Sequence, residues 1–237
     1  MCDTCGCGDT RLVPVDVHAR LLAANETTAA HNRAHFDARG LAVFNLMGSP
    51  GAGKTALLEA TARAVGGGRL AAIAGDLETE RDAERLRAAG IAATSITTGS
   101  ACHLDADMVH HALHDGVPPG LRYLAIENVG NLVCPAIYDL GQHANVVALS
   151  VTEGEDKPLK YPVMFRAADL VVLTKIDLLP ALPDFDRAAL EDALRRVMRA
   201  PRWVALSART GQGVGAWLEW LDALAVGERR GVGVPPE

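Results

Sequence analysis

Apolar residues are distributed along this chain in two alternating ways. Short, nearly continuous aliphatic runs occupy 41–47, 69–74, 91–96, 121–126, 146–151 and 170–173. Between them, Ala and Leu recur among charged residues at helical spacing, at 56–65, 77–89, 188–199 and 213–226, the last with Trp217, Leu218, Leu221 and Leu224. Continuous apolar runs mark strands buried on both faces, and helices between such strands carry the chain back to start the next one in parallel. The pattern predicts an α/β fold, a mostly parallel sheet flanked by helices on both faces, with ligand loops at the carboxyl ends of the strands. Ahead of the first strand, Val17, Leu21, Leu22 and Ala29 recur at helical spacing from Val15 to about Ala38, predicting one helix or two. Residues 1–14 read as a cysteine-bearing segment and leash, 15–40 as a helical segment, 41–226 as the main domain and 227–237 as a frayed tail.

Composition sharpens this frame. Hydrophobic residues make up 49% of the 237 and aromatic residues only 4%, so aliphatic packing must carry one sizeable core. The net charge of −6 is spread along the chain, which argues against nucleic acid and against an anionic membrane as partners. No apolar run reaches the length of a membrane span, and cysteines stand where a signal peptide would have its basic and apolar regions; the expected location is the cytoplasm. There, five cysteines are ligands or unbridged thiols rather than a disulfide framework.

The chemistry begins at Gly48-Ser49-Pro50-Gly51-Ala52-Gly53-Lys54-Thr55, which matches G-x-x-x-x-G-K-[ST] between a strand and a helix. Its glycines let successive N–H groups converge on a phosphate, the helix adds its positive end, Lys54 supplies a cation and Thr55 a ligand for Mg²⁺. Asp76 ends the next strand, where a carboxylate can hold Mg²⁺ or position water; capping the following helix is the competing reading. Glu127 ends a later strand about seventy residues after the loop, a second position for a Mg²⁺-linked acid. Lys54, Asp76 and Glu127 are thus the catalytic candidates. About 120 residues after Lys54 comes Thr174-Lys175-Ile176-Asp177. The Asp177 carboxylate can accept from guanine's N1–H and exocyclic amine, which adenine lacks, so it selects GTP over ATP. Lys175 lies along the base, and the backbone N–H groups of Ser207 and Ala208 complete its pocket. The polar stretch 152–158 is a candidate lid or interface.

The cysteines form two groups. Cys2, Cys5 and Cys7 lie within six residues, with glycines between them, and read first as metal ligands. A redox Cys-x-x-Cys is the rival, but that motif opens a helix after a strand. Three thiolates and a terminal amine would make a planar set suited to Ni(II) or Cu(II). Cys102 and His103 are adjacent and Cys134 lies seven residues after Glu127, placing a thiol beside a nucleotide-sensing acid; a buried thiol next to a satisfied imidazole is the plainer reading. His31 and His35, and likewise His110 and His114, are four apart on predicted helices, and each pair reads as a solvated face.

Taken together, M-C-D-T-C-G-C, G-S-P-G-A-G-K-T, G-D-L-E-T-E-R-D-A, T-G-S-A-C-H-L-D-A, E-N-V-G-N-L-V-C-P and T-K-I-D resemble the hydrogenase-maturation nickel-insertion GTPases of the HypB family, over nearly the whole chain. The resemblance implies a P-loop GTPase fold of the SIMIBI type and a GTP-gated homodimer that binds GTP and GDP with Mg²⁺. It also implies a tight Ni²⁺ site at Cys2, Cys5 and Cys7, and a second site for Ni²⁺ or Zn²⁺ at Cys102, His103 and Cys134 near the dimer interface. Its implied partners are other hydrogenase maturation proteins and the hydrogenase large subunit. Some relatives carry a histidine-rich store after the N-terminal cysteines; this chain has none, which favours delivery over storage. Some carry a further histidine where Asp107 stands, so the resemblance does not extend to a fourth ligand there. The competing function is a metal sensor or buffer that binds GTP without needing to hydrolyse it.

Overall fold

A computed structural model describes residues 15–76, 80–99 and 101–227. The segment containing Cys2, Cys5 and Cys7, and the predicted tail from 228 onward, lie outside the described residues. Strand β1, Ala42–Met47, is buried at all six positions. It sits in the middle of the sheet with strands hydrogen-bonded on both sides, so neither of its faces can be polar.

In chain order, helix α1 (Val15–Ala38) precedes β1, and α2 (Lys54–Val65), β2 (Leu70–Asp76), α3 (Arg81–Ala88), β3 (Ala92–Thr97), α4 (Ala106–Gly116) and β4 (Tyr123–Glu127) follow it. Then come β5 (Ala144–Ser150), α5 (Lys157–Lys160), α6 (Pro162–Ala167), β6 (Leu170–Thr174), α7 (Arg187–Val197), β7 (Trp203–Ala205) and α8 (Val214–Ala225). The strands pair in the order β3-β2-β4-β1-β5-β6-β7, every pair parallel. The predicted α/β architecture is therefore present, and the strand order supplies what the pattern could not. Register sets Leu46 beside Glu127 and Ala74 beside Glu127, so the ends of β1, β2 and β4 open onto one crevice.

Helices cover both faces. On one, Leu57 and Leu58 of α2, Leu86 of α3 and Trp217 and Leu221 of α8 pack on Phe44, Leu46, Ala72 and Val146. On the other, Phe36 of α1 and Val109 and Leu113 of α4 cover Val43, Ile73 and Leu124, while Phe165 of α6 and Leu190 and Leu194 of α7 cover Val147 and Val171. Helix α1 is one uninterrupted helix with few apolar anchors, and polar anchors supplement them. Buried Asn32 donates to the carbonyls of Ala106 and Leu140, Asn25 accepts from Ala106 N–H, and Arg33 pairs with Asp139. Close approach is possible because Gly141, at φ +91°, has no side chain to strike the α1 backbone. Among the described residues, no helix is long and apolar enough to cross a membrane.

Trp217 is fully buried, packs edge-on against Phe44, and donates its indole N–H to Thr61. Trp217→Ala is expected to lower the unfolding free energy by about 3–5 kcal/mol in urea titration, and Trp217→Phe by clearly less.

Candidate functional site

The loop 48–55 leaves β1 and enters α2 through positions that only glycine suits. Gly48 sits at φ +147°, where a Cβ would strike the carbonyl of Ala148, and Gly53 caps α2 in the left-handed region at φ +94°. Five loop residues, Pro50, Gly51, Gly53, Lys54 and Thr55, line a cleft of about 470 Å³. The other three brace it from behind. The Ala52 side chain is in the core, the Ser49 hydroxyl donates to Glu153, and Gly48 forms a backbone bridge with Asn131. Thr174 pins the loop from the base side through a 2.6 Å bond to the carbonyl of Ala52. The Lys54 ammonium turns back to 3.3 Å and 3.4 Å from the carbonyls of Gly48 and Ser49. Burial lowers its pKa, while the carboxylates of Glu127, Asp82, Glu153 and Asp76 oppose that shift.

Glu153 revises the expectation of a lid at 152–158. Its carboxylate accepts from Ser49 and from Ser150 N–H and lies 3.3 Å from Lys157, so the start of this segment is a buttress for the phosphate loop.

Three oxygens meet at the front of the cleft. The Thr55 hydroxyl lies 2.8 Å from Glu127 Oε1 and 3.0 Å from Asp82 Oδ1, and a single hydroxyl proton cannot serve both. Glu127 is 2% exposed, and its Oε2 has no hydrogen-bond partner. Burial pushes its carboxyl up to about 7, with Thr55 and Lys54 pulling the other way and Asp82 adding to the rise. Crowded carboxylate oxygens with an orphaned lone pair form a hard-oxygen donor set that fits Mg²⁺. Asp76 ends β2 and lines the same cleft; it does not cap α3, whose N-cap is Glu80. Asp82 and Arg85, also on the cleft wall, were not singled out from the sequence. They lie in the phrase E-T-E-R-D-A-E-R, where they are hidden among solvated charges.

The base-side segment does not line this cleft; it follows β6 beyond Thr174. Lys175 adopts φ +60°, the one positive φ outside glycine among the described residues, a strain of the kind that functional loops retain. Asp177 Oδ1 accepts from the Ser207 hydroxyl at 2.6 Å, and Arg209 stands 3.9 Å from Oδ2. One expectation needs correcting: the Ser207 backbone N–H is donated to the Gln212 carbonyl, and it is the Ser207 hydroxyl that points to Asp177. The carbonyl of neighbouring Ala208 accepts from Arg63.

Cys102, His103 and Cys134 come together as the sequence grouped them. Their ligand atoms lie within 4.8 Å of one another, with the two sulfurs 3.0 Å apart and Cys102 Sγ 3.8 Å from His103 Nδ1. His103 is buried and stacks on Tyr138 at 4.0 Å between ring centroids. Burial holds its pKa below the ordinary imidazole value, against Asp105, and so favours the neutral ring that can ligate. Two thiols and a neutral imidazole fit a borderline ion such as Zn(II) or Ni(II).

A buried asparagine joins this centre to the nucleotide cleft. Asn128, adjacent to Glu127, accepts from Leu104 N–H on the loop that carries Cys102 and His103, and donates to Asn45 of β1. The chain from 127 to 134 then runs over the phosphate loop, where Gly130 leaves room for Pro50 and Asn131 bridges Gly48, and ends at Cys134.

The fold and cleft define a P-loop nucleotide-binding protein with a thiol–imidazole centre attached to its acidic strand end. The family model for the CobW/HypB/UreG nucleotide-binding domain matches residues 42–204. The chain is 54% identical over 205 residues to the hydrogenase maturation factor HypB of Azotobacter vinelandii, covering 85% of this chain and 67% of that protein. The HypB structure from Helicobacter pylori in complex with nickel superposes with a TM-score of 0.81 at 36% identity, covering 89% of this chain and 99% of the other. HypB from Archaeoglobus fulgidus gives 0.78 at 38% identity, covering 86% and 100%. The chain belongs to the HypB hydrogenase maturation factors of the CobW/HypB/UreG family.

Glu127 yields a pH test in chelator, without nucleotide. Below about pH 4.5 both the folded and unfolded chains hold its proton; between there and about 7 the unfolded chain releases it first, so stability falls with rising pH and then levels. Glu127→Gln should remove that slope. Its stability relative to the native chain should rise by about 2–3 kcal/mol between pH 4 and pH 8 in urea titrations.

Proposed function

We propose that this chain is a GTP-hydrolysing nickel metallochaperone that delivers Ni(II) during maturation of nickel–iron hydrogenase in the cytoplasm. Nucleotide state gates metal affinity at Cys102, His103 and Cys134 and the pairing of two subunits. The observation that carries the reading is the continuous path from the orphaned carboxylate of Glu127, through Asn128, to the loops holding all three ligands. The nickel complex of the Helicobacter pylori relative supports the choice of cargo.

In this reading Lys54 and the loop N–H groups bind the β- and γ-phosphates, and Asp177 with the Ser207 hydroxyl selects guanine. Thr55, Glu127 and Asp82, with Asp76 beside them, would hold Mg²⁺, which neutralises charge on the phosphates as water attacks in line. A cation held by those oxygens would act on Asn128 through Glu127, and Asn128, bonded to Leu104 N–H, would pass the change to the loop that carries Cys102 and His103 opposite Cys134. Val133 and Ile137, 45% and 46% exposed on either side of Cys134, offer the apolar surface that a second subunit would cover. Cys2, Cys5 and Cys7 form the tight holding site, with Zn²⁺ as the competing occupant of the second centre. The receiving partners are other maturation proteins and the hydrogenase large subunit.

Linkage is reciprocal, so nickel affinity at the second centre should differ between forms bound to GDP and to a non-hydrolysable GTP analogue by about 1–3 kcal/mol in calorimetry. Equal affinities would remove the gate. Lys54→Ala should abolish GTP hydrolysis, which in the native chain without an activating partner should run on the order of 10⁻⁴–10⁻² s⁻¹. Undiminished hydrolysis would place the chemistry elsewhere. A GTP-binding but non-cleaving variant that still supported nickel transfer would instead favour a sensor or buffer. In absorption titrations with Ni²⁺, the strong thiolate-to-nickel band should disappear when residues 1–7 are removed, and a weaker event should disappear in Cys102→Ala.

A further inference from the structure

The two histidine pairs that read as separate solvated faces meet in the fold. Helices α1 and α4 lie side by side, and the His31 ring centroid is 5.1 Å from that of His110, which is 4.8 Å from that of His114. His35 adds an edge contact to His114 at 5.7 Å, and His111 one to His110 at 5.9 Å. His31 and His114 are exposed, and His110 is half-buried between them.

The buried amide of Asn32 fixes the tautomer of His110. Asn32 Nδ2 lies 2.8 Å and 3.2 Å from the carbonyls of Ala106 and Leu140, which can only accept, so the amide orientation is determined. Its Oδ1 is therefore the atom 3.1 Å from His110 Nδ1, and that oxygen too can only accept. His110 Nδ1 consequently carries the hydrogen, and Nε2 of the neutral ring keeps its lone pair. A histidine oriented through one nitrogen, with the other left to bind, is the arrangement that metal ligands require.

We propose that His31, His110 and His114 form an all-imidazole site for a borderline divalent transition-metal ion, Ni²⁺ or Zn²⁺, on the seam between α1 and α4. With metal–nitrogen bonds of about 2.0–2.1 Å, two imidazole centroids on one ion stand roughly 4.5–5.3 Å apart. The His31–His110 and His110–His114 spacings fall inside that range, whereas the His35 and His111 contacts fall outside it. Among the described residues, only Cys102, His103 and Cys134 already have three ligand atoms within 4.8 Å of one another. The histidine site therefore closes by side-chain rotation of His31 and His114, whose exposure permits it. The His110 pKa is lowered by burial and then by His114, His31 and His111, against Asp107, which favours the neutral ligand form. Neither nucleotide nor thiol enters this site, so it stands or falls independently of nickel delivery.

The test uses the full chain, first titrated with Ni²⁺ until its thiolate-to-nickel absorption saturates, then dialysed to equilibrium against increasing Zn²⁺ or Ni²⁺. The native chain should take up one further equivalent without any new thiolate band. That equivalent should weaken by roughly 10–100-fold in His31→Ala/His114→Ala and in His110→Ala, and persist in His111→Ala. Ring C–H resonances of His31, His110 and His114 should shift together as Zn²⁺ fills the site. No uptake beyond the thiolate sites, or equal uptake by the native chain and the double variant, would overturn the proposal.

Discussion

A carboxylate held away from water with one oxygen unpaired is stable only if it keeps a proton or gains a cation, and Glu127 is in that position. The surrounding structure depends on this instability. Glu127 is anchored by its place between β1 and β2, so relief must come from what enters the cleft. Thr55 and Asp82 approach it from α2 and α3, and the three residues concentrate oxygen beside two cations, Lys54 and Arg85, the latter 3.5 Å from Asp82 Oδ1.

The residue after Glu127 is tied to two other elements. Asn128 is 1% exposed and bonded at both ends of its amide, once to the central strand and once to the loop before α4. Leu104 on that loop packs where Gly75 of β2 leaves room, so the loop is also keyed to the strand that ends in Asp76. Beyond Asn128, the chain lies against the phosphate loop at Gly130 and Asn131 before it reaches Cys134. Packed, hydrogen-bonded contacts thus connect this buried acid to the two separated loops that carry Cys102 and His103 and Cys134.

Helix α1 fits the same logic of polar anchoring. Its weak apolar pattern is offset by Asn25, Asn32 and Arg33, whose bonds reach the start of α4 and the 139–140 turn. This docking brings two unremarkable histidine faces into ring contact, and one of its anchors sets the tautomer of His110.

The phosphate loop and the alternation of strands and helices were legible in the chain because each depends on neighbouring residues: glycines at fixed offsets, a lysine beside a hydroxyl, continuous apolar runs. The grouping of Cys102 and His103 with Cys134 into one site came from the resemblance to the HypB family, and the fold brings the three together. Strand order, the turning of Ser207 N–H toward Gln212, the meeting of Asp82 with Thr55, the bridging role of Asn128 and the pairing of His31 with His110 were not legible. Each depends on which distant elements pack together, and in the chain alone Asp82 is one charge among many on a solvated helix. Local backbone chemistry settled what kinds of site this protein carries; only the close packing of helices on a parallel sheet decided which side chains complete them, because hydrogen bonds and ligand sets form between groups that the chain itself keeps far apart.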